Sequence, residues 1–167
     1  MNIQIERETD VDLNLDYERI IDDIVNEALD YIECPYEIEL NIILSDNEGI
    51  HQVNLDQRQI DAPTDVLSFP MLDYEKAGDF SFLENEEEIF NFNADSGELM
   101  LGDIMISLEK VREQAKEYQH SESREFAFLL AHSMLHLFGF DHMEEDERIE
   151  MERMQEEILQ NKNYKRD

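Results

Sequence analysis

An uncharged segment between Phe126 and Phe140 constrains the fold more than any other feature of this chain. Asp, Glu, Lys and Arg make up 34% of the 167 residues, yet none of them occurs in this segment. A helix that is apolar on nearly every side is buried. A membrane span needs about 20 such residues, so this shorter segment predicts a buried central helix in a globular domain.

Two histidines lie within this segment, and a third follows it. His132 and His136 are separated by one helical turn, which places them on one face about 6 Å apart. Gly139 can end the helix, so that the next residues return His142 to the pair. We predict that the three imidazoles hold one zinc ion, Zn2+. Three protein ligands leave a fourth position for water, which is typical of a catalytic site.

A structural interpretation of these histidines stays open at this point. Each ring could be a core imidazole that is bonded to a backbone carbonyl, as most buried polar groups are. Burial of two unpartnered imidazoles is costly, however, and a metal ion would satisfy both of them at once.

The composition predicts a single folded domain over residues 1–167. Hydrophobic residues make up 41% of the chain, and its net charge is −30. This charge argues against nonspecific binding to nucleic acid or anionic lipid, but it is compatible with a basic protein partner or a small positive cleft. Cys34 is the only cysteine, and we expect it to be a small buried hydrophobe. No signal peptide is recognisable, so we predict a cytoplasmic protein.

Hydrophobic periodicity predicts an α+β fold, with a mixed four-stranded sheet packed by helices. The predicted strands are 2–7, 36–44, 66–69 and 99–107, and the predicted helices are 15–33, 47–57, 108–119, 122–138 and 143–160. The acidic residues 73–98 are predicted to be an excursion, which could be a mobile lid or a solvated surface loop. His120 lies in a polar segment, and we expect its side chain to be exposed, with a proton shuttle as its possible function.

The metal motif differs from that of HExxH zinc proteases. Ser133 occupies the position of the general base, and a hydroxyl cannot accept a proton at neutral pH. Three neutral ligands leave the full charge of the ion to face an anionic substrate, so a phosphodiester suits the site better than a peptide does. Arg58 could hold a phosphate, or it could be a surface arginine paired to a carboxylate. Asp141 could orient a histidine or stabilise the turn.

Three segments together resemble the signatures of the YbeY family of bacterial endoribonucleases. Residues 132–142 (HSMLHLFGFDH) resemble HGxLHLxGYDH, residues 54–70 (NLDQRQIDAPTDVLSFP) resemble LNxxYRxxDxPTDVLSFP, and residues 101–107 (LGDIMIS) resemble LGDIxIS. Two departures stand out: Ser133 replaces a glycine and Phe140 replaces a tyrosine. The acidic stretch between Leu72 and Glu98 is also longer than the family leads us to expect.

The resemblance implies a zincin-like domain with metal-dependent, single-strand-specific endoribonuclease activity in the cytoplasm. It implies roles in maturation of ribosomal RNA and in ribosome quality control. The expected partners are ribosomal RNA and ribosomal proteins or ribosome-associated factors. Neither a membrane nor DNA is expected as a partner. His132, His136 and His142 match the metal-binding histidines of the family. Arg58 matches its signature arginine, which is credited with RNA binding or catalysis. Two alternatives stay open: a ribosome-assembly factor with a structural metal, and a metallohydrolase acting on another substrate.

Overall fold

The sheet at the centre of the fold has four strands and mixed direction. A computed structural model describes residues 1–164. The strands are β1 (Asn2–Arg7), β2 (Ile38–Ser45), β3 (Val66–Pro70) and β4 (Leu99–Ser107), and their spatial order is β1-β2-β4-β3. β1, β2 and β4 run parallel, whereas β3 pairs antiparallel to β4 at the edge. The predicted α+β class and the four-stranded mixed sheet are therefore confirmed.

Five α-helices pack with this sheet within the described range. They are α1 (Tyr17–Tyr31), α2 (Asn47–Arg58), α3 (Leu108–Glu117), α4 (Glu122–Leu137) and α5 (Glu145–Asn161). All predicted strands and helices are found, with ends that differ by no more than about two residues, the usual uncertainty of such ends. No helix within residues 1–164 is long and apolar enough to cross a membrane. A single domain over 1–167 stays a prediction.

Helix starts are fixed by side chains that accept a backbone N–H. Asp16, Asp46, Ser107 and Ser121 each accept a hydrogen bond from the third residue that follows them. Such a cap satisfies one of the amides that a helix leaves unpaired at its first turn.

The uncharged segment forms most of α4, which lies at the centre of the fold. Phe126, Ala127 and Leu130 are fully buried, and α4 contacts α1, α3, α5 and β3. Burial on all sides is what the lack of charged residues predicted. The C-terminal end of α4, where the histidines lie, is thereby held against a rigid frame.

The acidic excursion is anchored to the core over its first half. Phe80 and Leu83 are buried, and the Gly78 N–H donates to the carbonyl of Phe138, just past α4, at 2.8 Å. The second half forms a 3-10 turn, Glu86–Asn91, which has no buried residue and leaves Phe90 84% exposed. The description as a solvated loop therefore fits only residues near this turn.

The predicted exposure of His120 is wrong. Its side chain is only 6% exposed, and its Nε2 lies 2.6 Å from Glu125 Oε1. The second oxygen of Glu125 accepts a hydrogen bond from Gln114 of α3 at 2.8 Å. The helix pair α3 and α4 encloses this cluster, so the polar composition around His120 did not reveal its burial. A proton shuttle would need access to solvent that this ring lacks.

Candidate metal centre

The backbone that ends α4 also positions the histidines. The Gly139 N–H donates to the carbonyl of His136 at 3.0 Å, and the Phe140 N–H donates to that of Leu135 at 3.0 Å. These two bonds form a Schellman motif, which requires a left-handed residue between them. Gly139 supplies it with φ +95°. The chain therefore turns back at the position that the sequence predicted and brings His142 over the end of the helix.

The three predicted histidines converge on one point. Nε2 of His132 lies 3.0 Å from Nε2 of His136, and one nitrogen from each of the three rings lies within 4.8 Å of the others. His132 and His136 are half-buried, whereas His142 is exposed. Tetrahedral zinc with bonds of about 2 Å holds its nitrogen donors roughly 3.3 Å apart, so the donor set fits such an ion after a small shift. The role of these residues as ligands stays a prediction.

The outer ring nitrogens of two histidines have partners. His136 Nδ1 lies 2.9 Å from the carbonyl oxygen of Phe140, to which it can only donate. His132 Nδ1 lies 3.1 Å from the side-chain amide of Gln155 on α5. Such outer contacts fix the ring orientation and the tautomer of metal-binding histidines. Gln155 was missed because no local sequence pattern links it to His132.

Burial keeps the two helical imidazoles neutral. Loss of solvation, reinforced by the neighbouring rings of His136 and His142, lowers the pKa of His132 to about 4. Loss of solvation also lowers the pKa of His136, although the nearby Phe140 carbonyl opposes it. Both rings therefore retain a lone pair at neutral pH, and a cation can bind there with little competition from protons.

The histidines form the floor of an open cleft of about 620 Å³. Its charged lining residues are Arg58, Asp65, Asp73 and Asp141. Arg58, the last residue of α2, is exposed and forms no ion pair with any carboxylate of residues 1–164. The predicted alternative, a surface arginine paired to a carboxylate, is therefore wrong within this range. Since the guanidinium of Arg58 is unpaired among the described residues, it is available to an anionic ligand.

Ser133 and Asp141, each adjacent in sequence to a predicted metal ligand, contact other parts of the protein instead of the converging nitrogens. Ser133 is fully buried, and its hydroxyl lies 2.8 Å from that of Ser68 on β3. Asp141 accepts a hydrogen bond from the backbone N–H of His142 at 2.7 Å, which favours its interpretation as a turn residue. Cys34 is only half-buried, at the edge of the core, and is not one of the converging donors.

Comparison with known proteins places the chain in a family. The family model described as "Endoribonuclease YbeY" matches residues 2–163. The chain belongs to the YbeY family. The YbeY endoribonuclease of Agathobacter rectalis is 59% identical over 159 residues, which cover 95% of this chain and 96% of that protein. That of Lachnospira eligens is 53% identical over 163 residues, which cover 96% of each.

A solved structure of low sequence identity shares the fold of this chain. A solution structure of a protein from Thermotoga maritima superposes with a TM-score of 0.55 at 21% identity, covering 96% of this chain and 91% of that one. At this identity the likeness concerns the fold alone. The resemblance seen in the three sequence segments is thus confirmed at the level of family and fold.

Proposed function

We propose that this protein is a zinc-dependent endoribonuclease that cleaves single-stranded RNA in the maturation of ribosomal RNA. Endoribonuclease activity is named for relatives that are 59% and 53% identical over nearly the whole chain. The observation that carries the proposal is the cleft, where Arg58 and three converging imidazoles line the same space.

The chemistry of the cleft suits a phosphodiester. When bound, zinc supplies a Lewis acid that polarises a phosphoryl oxygen and makes water a stronger acid. His132, His136 and His142 would hold it as neutral ligands, so that its full charge faces the substrate. Arg58 can donate two parallel hydrogen bonds to phosphate oxygens, and it would orient the phosphate and stabilise the charge that develops in the transition state.

The metal motif of this chain lacks the glutamate that HExxH proteases use as the base in peptide hydrolysis. Ser133 stands where HExxH proteases have a glutamate, and its hydroxyl is engaged by Ser68 inside the protein. The peptide bond is also uncharged, so it offers the guanidinium of Arg58 no anion at the point of cleavage, whereas a phosphodiester does. Both features favour RNA over a peptide as the substrate.

The negative charge of the chain favours basic proteins as its partners. A net charge of −30 repels RNA everywhere except at a local positive site. We infer that basic ribosomal proteins or ribosome-associated factors help to bring this protein to ribosomal RNA, in the cytoplasm. The exposed acidic turn Glu86–Asn91 adds to the negative surface that such partners could contact.

Three single variants test the proposal. We expect His136→Ala to lose bound zinc and RNA cleavage together, and Arg58→Ala to keep zinc but to lose most cleavage. His51→Ala is the matched control, because His51 is partly exposed, pairs with Asp61 and does not line the cleft. Zinc is measured by metal analysis of the purified protein, and cleavage is measured on single-stranded ribosomal RNA with and without chelator.

Three results would contradict the proposal, and the first and third of them would favour an alternative. Purified wild-type protein that binds zinc but cleaves no RNA would favour an assembly factor with a structural metal, particularly if Arg58→Ala remained functional in cells. Cleavage that persists in zinc-free His136→Ala protein would show that the histidines do not carry the activity. Zinc-dependent hydrolysis of a peptide or a small phosphoester, with RNA left intact, would indicate a metallohydrolase of another specificity.

A further inference from the structure

The amide of Gln155 is buried among apolar neighbours. The residue is 2% exposed, on a face of α5 whose other buried residues are Met151, Met154, Ile158 and Leu159. Burial of a primary amide costs free energy unless the group is hydrogen-bonded, and a leucine would fill such a place without that cost. The one hydrogen-bond partner found for this amide within residues 1–164 is Nδ1 of His132, at 3.1 Å.

The arrangement of the rings determines which hydrogen bond this partner needs. Nε2 of His132 and Nε2 of His136 face each other at 3.0 Å, so both are the inner nitrogens that a shared cation would contact. A neutral imidazole that offers Nε2 to a metal carries its proton on Nδ1. Nδ1 of His132 therefore requires an acceptor, and a carboxamide has one acceptor, its oxygen.

The amide can present either of its ends to the ring. Its nitrogen lies toward His132 in the structure, and a half-turn of the terminal torsion places the oxygen there instead. This torsion is soft, so the exchange requires no movement of α5. His136 has the equivalent contact from the backbone carbonyl of Phe140, at 2.9 Å. The two helical histidines thus have the same outer contact, one from the backbone and one from a side chain.

We propose that Gln155 is a positioning residue of the metal centre. Its Oε1 accepts the Nδ1 proton of His132, which fixes the tautomer and directs the Nε2 lone pair at the ion. The inference depends on the metal centre proposed above. It adds that α5, which supplies no ligand, contributes directly to metal affinity. Removal of an outer partner of this kind typically weakens metal binding about 10–100-fold.

Zinc affinity tests the inference without reference to catalysis. Dissociation constants are measured at neutral pH by competition with a chromophoric chelator, on full-length proteins whose folding is checked by circular dichroism. We expect Gln155→Met to weaken zinc binding by about 10–100-fold, because the apolar side chain offers no acceptor. We expect Gln155→Glu to bind zinc at least as tightly as wild type, because a carboxylate accepts the same proton. Gln160→Met is the matched control, since Gln160 is exposed on the same helix, and it should bind as wild type does.

The outcomes separate this inference from the proposed metal centre. Wild-type protein that binds no zinc would contradict the metal centre itself, and His136→Ala gives the baseline for that case. Wild-type affinity in Gln155→Met, or equal weakening in the Met and Glu variants, would overturn only the role of Gln155.

A second measurement tests the inference on wild-type protein, in case Gln155→Met does not fold. In zinc-loaded wild-type protein with 15N-labelled histidine, long-range 15N–1H spectra identify the protonated ring nitrogen. We expect the proton of His132 on Nδ1. A proton on Nε2 would overturn the inference.

Discussion

The turn after α4 offers a direct test of how the backbone builds the metal centre. Gly139 has φ +95°, and a Cβ placed there would lie 2.8 Å from Cδ2 of Tyr74 and 3.1 Å from Cγ. Tyr74 cannot easily withdraw, because it packs edge-on against Phe80 and Phe82. Gly139→Ala therefore combines a disfavoured backbone conformation with a steric clash.

The two costs can be estimated separately. A left-handed conformation costs a residue with a Cβ about 1–2 kcal/mol, and overpacking of a well-packed site adds about 1–3 kcal/mol. We therefore expect Gly139→Ala to lower the free energy of unfolding by about 3 kcal/mol. Gly97→Ala is the control for the backbone part alone, because Gly97 has φ +77° and a Cβ there would meet nothing within 4 Å.

Urea unfolding at neutral pH, followed by circular dichroism, measures both variants on metal-free protein. A double-mutant cycle with Tyr74→Ala isolates the clash: in that background, Gly139→Ala should cost no more than Gly97→Ala does. The reasoning is refuted if Gly139→Ala and Gly97→Ala cost the same in the wild-type background. Zinc affinity should also fall in Gly139→Ala, because the strained turn carries the Phe140 carbonyl that holds His136.

Two further predictions concern buried ionisable groups. Burial lowers the pKa of His132 from 6.5 to about 4, so between these values the unfolded chain binds more protons. The contribution of this ring to stability is thus complete above about pH 6.5 and is lost as the pH falls toward 4, by at most about 3 kcal/mol. Metal-free His132→Gln should show a correspondingly weaker decrease in urea stability over this range, and parallel pH profiles of the two proteins would contradict the assignment. Glu125→Ala should lower the free energy of unfolding by about 3 kcal/mol, because it leaves the imidazole of His120 enclosed without its carboxylate partner. The exposed Glu113→Ala should cost less than about 0.5 kcal/mol in the same urea assay, and equal costs for the two variants would show that the Glu125 cluster contributes nothing.

Local features of the sequence predicted the frame of the site well. The spacing of His132 and His136 and the helix-ending Gly139 each depend on residues within about four positions of one another. Helical and strand geometry fixes such relationships almost independently of the rest of the chain. The positions of these residues could therefore be predicted before any packing was known.

Features that depend on packing between elements could not be predicted in this way. Gln155 reaches His132 only because α5 packs against α4, and the two residues are 23 positions apart in sequence. The side chain of His120 is enclosed where it meets Glu125 of α4, although its neighbours in sequence are polar. Phe80 and Leu83 anchor a segment whose many glutamates predicted a solvated loop. In each case, packing between separate elements decided the outcome.

The acidic surroundings of the cleft make the proposed RNA binding conditional on the metal. Arg58 contributes one positive charge to the lining, and Asp65, Asp73 and Asp141 contribute three negative charges, with the histidines of the lining counted as neutral. The metal-free cleft thus has a formal charge of minus two, which a divalent ion cancels. The metal-free cleft would therefore repel phosphate. The cleft that holds the ion would attract phosphate to the ion and to Arg58 together. Chelation should therefore abolish RNA binding as well as cleavage, whereas retention of RNA by chelated protein would mean that the phosphates contact a different surface.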